Sequence, residues 1–325
     1  MTRNGSFRKL YSGFVLVMCG LALQAQPTLT DVINSFNAGA EEVNSGKFTD
    51  AIVKFEETIK LADELGPEGD KMKADAQAQI PALHYRMALD SYKAKDIPGA
   101  IEQFEKAIST SDKYGNDEVH EKSLKYIPQL YYALGTSQIR DEQLDSAMES
   151  FDKALGFEPN YARAIYGKAM VYKKQNDDAK MIAAMEQAIE AGNASGDERT
   201  TDAANKTLKD YYMNEGKLAF KDDDYDKALQ NFETSNRYDS SDAESYYLCC
   251  VVYGKKGDFD KAVELGLKAL QYEKADDQAK IWFELGGAYT NLVEYDKACD
   301  AYSKAMVDPY LETARYKMEN VLHCK

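Results

Sequence analysis

"IWFELGGAYTNLVEYDKACDAYSKAM", residues 281–306, decides the fold. Trp282, Leu285, Gly286 and Tyr289 recur at intervals of three and four, which places them on one face of a helix. Tyr295, Ala298, Tyr302 and Ala305 repeat that spacing after the polar break "NLVEYD". The stretch therefore reads as two helices joined by a tight turn. A glycine inside a helix costs about 1 kcal/mol against alanine. Gly286 is explained if a second backbone comes close, and Ala298, twelve residues on, is the small residue expected to meet it.

The same grammar occurs seven times. The first-helix small residue is Gly39, Ala88, Gly135, Ala169, Gly216, Cys250 or Gly286. Twelve residues later stand Ala51, Ala100, Ala147, Met181, Ala228, Ala262 and Ala298. Sixteen later stand Phe55, Phe104, Phe151, Met185, Phe232, Gly266 and Tyr302, and nineteen later Thr58, Ala107, Ala154, Ala188, Ser235, Ala269 and Ala305. The unit over 162–192 departs most, with Met181 in the alanine column and Asp178 where the turn usually carries an aromatic residue.

The order W-x2-L-G-x2-Y followed by A-x3-F/Y-x2-A resembles the tetratricopeptide repeat. Residues 282–305 match it throughout, residues 134–159 match most of it, and the resemblance extends over about 32–309. It is the pattern of an exported bacterial, Bacteroidota-like member. The resemblance implies an all-α fold: an α-solenoid of about seven helical hairpins, three with extended helices, plus a C-terminal capping helix. The domain reading is 1–25 signal peptide, 26–308 repeat solenoid and 309–325 cap. Leu311, Ala314, Met318, Val321 and Leu322 form the apolar stripe of that cap.

The alanine column advances by 49, 47, 34, 47, 34 and 36 residues, against 34 for the family. The excess lies around 62–80, 109–127 and 191–208 and fits two extra turns on each neighbouring helix. Hairpins lengthened in this way are expected to project. Pro81 and Pro128, at matching places 47 apart, each either open a helix or kink a long one.

Composition excludes several functions. The formal net charge is −15, which argues against nucleic acid as a partner. Arg3, Arg8 and Lys9, the apolar run "FVLVMCGLAL" and Ala25 read as a cleaved export signal, too short to span a bilayer. The expected location is the periplasm or the periphery of the outer membrane, with peripheral association with an outer-membrane complex as an option. Cys19 raises a lipoprotein reading, against which stands the bulk of Met18 before it.

No catalytic, metal or cofactor site is expected. "HEKSL" from His120 starts like H-E-x-x-H but ends in Leu124. Asp222, Asp224, Asp226 and Glu233 copy a calcium-loop spacing, but Lys227 stands where the loop needs glycine, and Ala228 and Phe232 are required on a continuous helix. Cys250 belongs to the small-residue column, so the Cys249–Cys250 pair reads as packing. Cys299, near the start of the last paired helix, and Cys324, near the end of an antiparallel cap, are placed for a disulfide that fastens the cap.

By the resemblance, first helices line a concave face, and the residue three before each small residue points into it. That column is Phe36, Tyr85, Tyr132, Tyr166, Met213, Tyr247 and Phe283. Phe36, Tyr85, Tyr132, Tyr166, Tyr247 and Phe283 are the candidate ligand-binding residues, for a protein or an extended peptide. Family members that grip C-terminal carboxylates use lysine, asparagine and arginine at fixed groove places, and this chain does not reproduce them. The alternative is a structural component of an envelope or outer-membrane assembly, contacted through convex surface or projecting hairpins.

Overall fold

The computed structural model describes residues 26–324, so the expected signal segment 1–25 lies outside the described residues. The described residues are helical with no strand. The helices run α1 Leu29–Asn44, α2 Phe48–Leu65, α3 Asp70–Lys93, α4 Ile97–Tyr114, α5 Asp117–Leu124, α6 Ile127–Arg140, α7 Leu144–Phe157, α8 Ala162–Lys174, α9 Asp178–Ser195, α10 Glu198–Lys221, α11 Tyr225–Tyr238, α12 Ala243–Lys256, α13 Phe259–Tyr272, α14 Ala279–Asn291, α15 Tyr295–Lys304 and α16 Leu311–Tyr316. The fold class is an all-α helical repeat solenoid.

The described residues divide into two compact units, one of residues up to 90 with Gln103–Glu121, the other of Ser91–Glu102 with the residues from 122 on. In the first, α1 and α2 pair as a hairpin. Its core gathers Ala51, Ile52, Phe55, Ala76, Ile80 and Leu83, flanked by Phe36, Phe48 and Met87. In the second, the pairs α6/α7, α8/α9, α10/α11, α12/α13 and α14/α15 are hairpins, and each second helix packs on the next first helix.

The close approach inside a hairpin is between the small residue and the ring sixteen positions on, and the alanine at twelve is not its nearest neighbour. A Cβ at Gly39 would lie 2.9 Å from the Phe55 ring, at Gly135 2.7 Å from Phe151, at Gly216 2.5 Å from Phe232 and at Gly286 2.7 Å from Tyr302. These glycines leave room for an aromatic face. The weak unit keeps the design with a different filling: Met181 and Met185 are buried with Ala169, Ala188 and Leu208. The unbranched thioether fills an irregular gap where a ring is missing. The two polar members of the nineteen-column are satisfied locally. Thr58 donates to the Lys54 carbonyl at 2.8 Å, and Ser235 to the Lys209 carbonyl at 3.2 Å.

All seven hairpin turns share one device. The residue seven after each small residue is left-handed: Gly46, Lys95, Glu142, Asn176, Asp223, Gly257 and Val293, with φ between 57° and 81°. The next residue's N–H bonds back to the carbonyl five positions earlier, as in Asp177 to Tyr172 at 3.0 Å, Asp224 to Ala219 at 2.9 Å and Asp258 to Tyr253 at 3.0 Å. This closes the outgoing helix as a Schellman-type end. Where that residue is Asp177, Asp224 or Asp258, its side chain also accepts from the N–H three on and opens the incoming helix. One residue thus ends one helix and starts another, which is why the turns are short.

The extra sequence is divided unevenly, where two turns on each helix were expected. Ordinary helices such as α7 and α11 have 14 residues, whereas α2 and α9 have 18 and α3 and α10 have 24. The outgoing helix gains about one turn and the incoming helix nearly three. Glycine permits the two long arms to touch: a Cβ at Gly69 would lie 2.8 Å from Ala62, and one at Gly192 would collide with the Thr201 hydroxyl. The two prolines resolve differently. Pro81 is buried inside α3, while Pro128 sits in the first turn of α6, after the separate helix α5. A proline in a first turn costs no hydrogen bond, because that N–H has no partner in the helix anyway.

The cap is not one continuous helix. α16 passes into a π-helical turn over Lys317–Leu322. The wider turn changes the register, so Ala314 is buried and Leu322 packs on the Tyr302 and Ala305 cluster, but Val321 faces out at 44% exposure. Cys299 and Cys324 are joined by a disulfide with Cα atoms 5.7 Å apart.

The turn device generates a stability test. Val293 is β-branched, 66% exposed and left-handed at φ 65°, a conformation that costs an L-residue about 1–2 kcal/mol. Replacing Val293 by Gly is expected to raise unfolding free energy by about 1 kcal/mol after glycine's added chain entropy is offset. Gly257→Val is expected to lower it by at least as much. Chemical denaturation of the two variants checks both signs, and equal stabilities would contradict the strained-turn reading.

Candidate functional site

The site begins with spacing. Placing one residue per hairpin three before the small residue puts Tyr132 on α6, Tyr166 on α8, Met213 on α10, Tyr247 on α12 and Phe283 on α14, all in the second unit. There α6 lies beside α8, α8 beside α10, and α12 beside α14. Met213 is buried, while the four rings are half-buried. Phe36 and Tyr85 hold the equivalent places in the first unit and are also half-buried.

Each ring has two jobs. Its inner edge packs on the ring nineteen positions on: Phe36 on Phe55 at 5.3 Å between centroids, Tyr85 on Phe104 at 5.7 Å, Tyr132 on Phe151 at 6.1 Å and Phe283 on Tyr302 at 5.7 Å. Mixed tilted and edge-on geometries of this kind are the favoured aromatic arrangements. Tyr132 also meets Tyr161 at 6.0 Å, and Phe283 meets Tyr310 at 5.0 Å. Tyr166 and Tyr247 stand in the units whose sixteen-position is Met185 or Gly266, and they pack against the aliphatic clusters there. The candidate rings are therefore part of the packing as well as of the surface.

A second aromatic column escaped the sequence reading. Tyr131, Tyr212 and Tyr246, four before the small residue, stack on Phe157, Tyr238 and Tyr272 at 6.2, 5.9 and 5.9 Å, with nearly parallel planes. A lysine caps this column: Lys153 over Tyr131, Lys268 over Tyr246 and Lys304 over Trp282, the last at 4.2 Å. Another set covers the tyrosine three after the small residue, with Lys180 over Tyr172, Lys261 over Tyr253 and Lys297 over Tyr289 at 5.0–5.5 Å. The lysine before the twelve-column residue thus has a cation–π role at Lys180, Lys261 and Lys297. The fixed separations of 26 and 8 residues were the available signal.

Charge on the first-helix face centres on α12 and α14. Lys280 contacts Glu273 at 3.0 Å and Glu244 at 3.1 Å and lies 5.1 Å over the Tyr247 ring. Burial works to lower its pKa, and the two carboxylates outweigh that and raise it. Glu284, one turn on from Lys280, is half-buried and makes no hydrogen bond or ion pair among the described residues. Burial pushes its carboxyl up, and only the more distant charge of Lys255 opposes this. Tyr247 is raised by its own burial and then by Glu284, and Tyr302 and Cys250 also register the Glu284 charge.

The calcium-like spacing disperses. Asp224 caps α11, Asp226 pairs with Lys256, and Glu233 accepts from the Tyr253 hydroxyl at 3.2 Å. Among the described residues no group of acids, histidines or cysteines converges as a metal site. His120 pairs with Asp112 at 2.7 Å. Cys249 and Cys250 are buried and free, with burial pushing each thiol up to about 12. An outer cleft of about 790 Å³ between α11, α12 and α13 is lined by charges that already pair with each other, including Lys261 with Asp258 at 3.4 Å. No described helix is long and apolar enough to cross a membrane.

Glu284 gives a pH test. Its folded pKa lies above the ordinary 4.5, so between those two values the folded chain holds a proton that the unfolded chain has lost. Its contribution to stability is therefore greatest below the ordinary value and is lost as pH rises through the raised one. Glu284→Gln removes that loss. The melting temperature of the variant is expected to match the wild type near about pH 4 and exceed it near about pH 7. A variant less stable at neutral pH would show that Glu284 is paired in solution.

Comparison with known proteins bears on the hairpins themselves. Residues 128–161, 162–191 and 279–306 match the tetratricopeptide repeat family. The matched segments include 162–191, the unit with the most irregular columns. A stretch of 104 residues is 30% identical to the Hsp70-Hsp90 organising protein of Plasmodium falciparum. It covers 30% of this chain and 18% of that protein, so the chain spans less than a fifth of the relative's length. Among solved structures, a tetratricopeptide-repeat protein from Bacteroides fragilis is similar at 19% identity and a TM-score of 0.38, over 75% of this chain and 97% of that one. YrrB, a tetratricopeptide-repeat protein with an unusual peptide-binding site, is similar at 19% identity and a TM-score of 0.33, over 58% and 91%. The hairpins α6/α7, α8/α9 and α14/α15 are the ones that carry the family match.

Proposed function

We propose that this chain is a non-catalytic, exported scaffold that binds another protein, or an extended peptide segment of one, along its first-helix face. The observation that carries the reading is the column Tyr132, Tyr166, Tyr247 and Phe283, each ring half-buried and packed against its hairpin core. Rings held in this way offer large contact area with few rotamers left to lose. One ring per hairpin suits an extended or helical segment lying across the hairpins. Phe36 and Tyr85 offer the same surface on the first unit. Export, by way of residues 1–25, places the scaffold in the periplasm or at the outer-membrane periphery, where its partner is to be sought. The relative from Plasmodium falciparum is named as an Hsp70-Hsp90 organising protein, which agrees with this reading.

The test must spare the packing that these rings supply. Leucine at Tyr132 and Tyr166 keeps apolar bulk against Phe151 and the Met181 cluster but removes the ring face and hydroxyl. The wild type is used as bait in envelope extract, and the captured partner is then titrated into wild type and double variant. If the rings are anchors, the double variant is expected to bind about 2 kcal/mol more weakly at unchanged melting temperature. Unchanged affinity at unchanged stability would assign the column to packing alone and move attention to the long α9/α10 pair and an architectural role.

A further inference from the structure

Glu284 is the group that the packing of α12 and α14 leaves unexplained. An ionised carboxylate in a low-dielectric place is costly unless it is paired. The nearest candidates for pairing are unavailable: Lys280, one turn before it, is held by Glu244 and Glu273, and Lys255 approaches no closer than a screened electrostatic contact. The surroundings are aromatic. Phe283 beside it packs on Tyr302 and Tyr310, and Tyr247 on α12 feels its charge. Two residues before the small residue, the other hairpins of the second unit carry Ala133, Gly167, Asn214 and Leu248. The acid is thus particular to the last hairpin and is no part of the repeat grammar. It directly follows Phe283 of the proposed binding column.

We infer that Glu284 is the specificity-determining anchor of that face, and that it receives a lysine or arginine side chain of the bound segment on its Phe283 side, the Tyr247 ring being already covered by Lys280. The inference rests on the proposed binding role of the first-helix face. The incoming cation supplies the pairing that the free protein lacks, and the Phe283 ring covers its aliphatic stem. Formal net charge of −15 steers basic segments toward the protein but does not choose a residue, whereas one half-buried, unpaired carboxylate does. The register follows: a basic residue of the segment falls at the α12–α14 end, with apolar or aromatic residues toward Tyr166 and Tyr132.

The probe is a pair of fluorescein-labelled nonapeptide libraries, X-X-Leu-X-Lys-X-Leu-X-X and its twin with norleucine in place of lysine. Fluorescence anisotropy at physiological salt reads each against wild type, Glu284→Gln and Glu312→Gln, the last being an exposed acid on the cap. The lysine library is expected to bind the wild type about tenfold more tightly than the norleucine library, as a charge-assisted bond would give. Glu284→Gln is expected to erase the difference, and Glu312→Gln to preserve it. A lysine preference that survives Glu284→Gln overturns the inference in favour of diffuse attraction. Equal binding of both libraries by the wild type also overturns it and leaves the groove reading standing. Binding of neither library overturns the groove reading and the inference with it.

Discussion

A bare backbone on one helix set against an aromatic face on the next fixes the spacing of these hairpins. Gly39 with Phe55, Gly135 with Phe151, Gly216 with Phe232 and Gly286 with Tyr302 leave no space for a Cβ. Once that distance is set, the alanine column closes the rest of the hairpin core, with Ala51, Ala147, Ala228 and Ala298 all fully buried. The turn has to meet the same distance. A left-handed residue seven after the small one and a residue that both ends and starts a helix make the reversal short enough. Backbone strain at Lys95, Glu142 and Val293 is tolerated because the packing on either side holds the turn in place.

That packing also determines what the first-helix face can offer. The ring sixteen positions on is held by the glycine, and it in turn holds the column ring three before that glycine. Tyr132 and Phe283 are therefore oriented by the core before any partner arrives. Binding to such a face loses little side-chain freedom. Glu284 follows a different logic. Its neighbours commit their charges elsewhere, and burial without a partner raises its carboxyl, a cost that the inferred cationic partner would remove. Functional groups are commonly found where local stability is sacrificed in this manner.

The helical columns were legible because similar residues recur at the same offsets in most hairpins. Small residue, alanine and ring stand at fixed offsets, and those offsets gave the hairpins and the aromatic column. The partner of the glycine was misassigned to alanine, because spacing reveals which residues share a face and not which atoms touch. The turn conformation left no readable trace. Only Gly46 and Gly257 advertise a left-handed backbone, and Lys95, Glu142, Asn176, Asp223 and Val293 share no chemistry. Pro81 and Pro128 stand at equivalent places yet differ, because α3 continues through its proline while the chain before α6 breaks. Glu284 was hidden for the opposite reason from the columns: a feature present in one hairpin has no period.

The central claim is that a partner lies along the first-helix face. Hydroxyl-radical footprinting of the protein, free and bound to the partner it captures, tests this most directly, since every tyrosine reports its own accessibility. The account predicts protection at Tyr132, Tyr166 and Tyr247, with Tyr295 and Tyr316, which are 51% and 58% exposed outside that face, unchanged. Protection confined to Tyr295, Tyr316 or the α9/α10 arms, with the column unaltered, would contradict it.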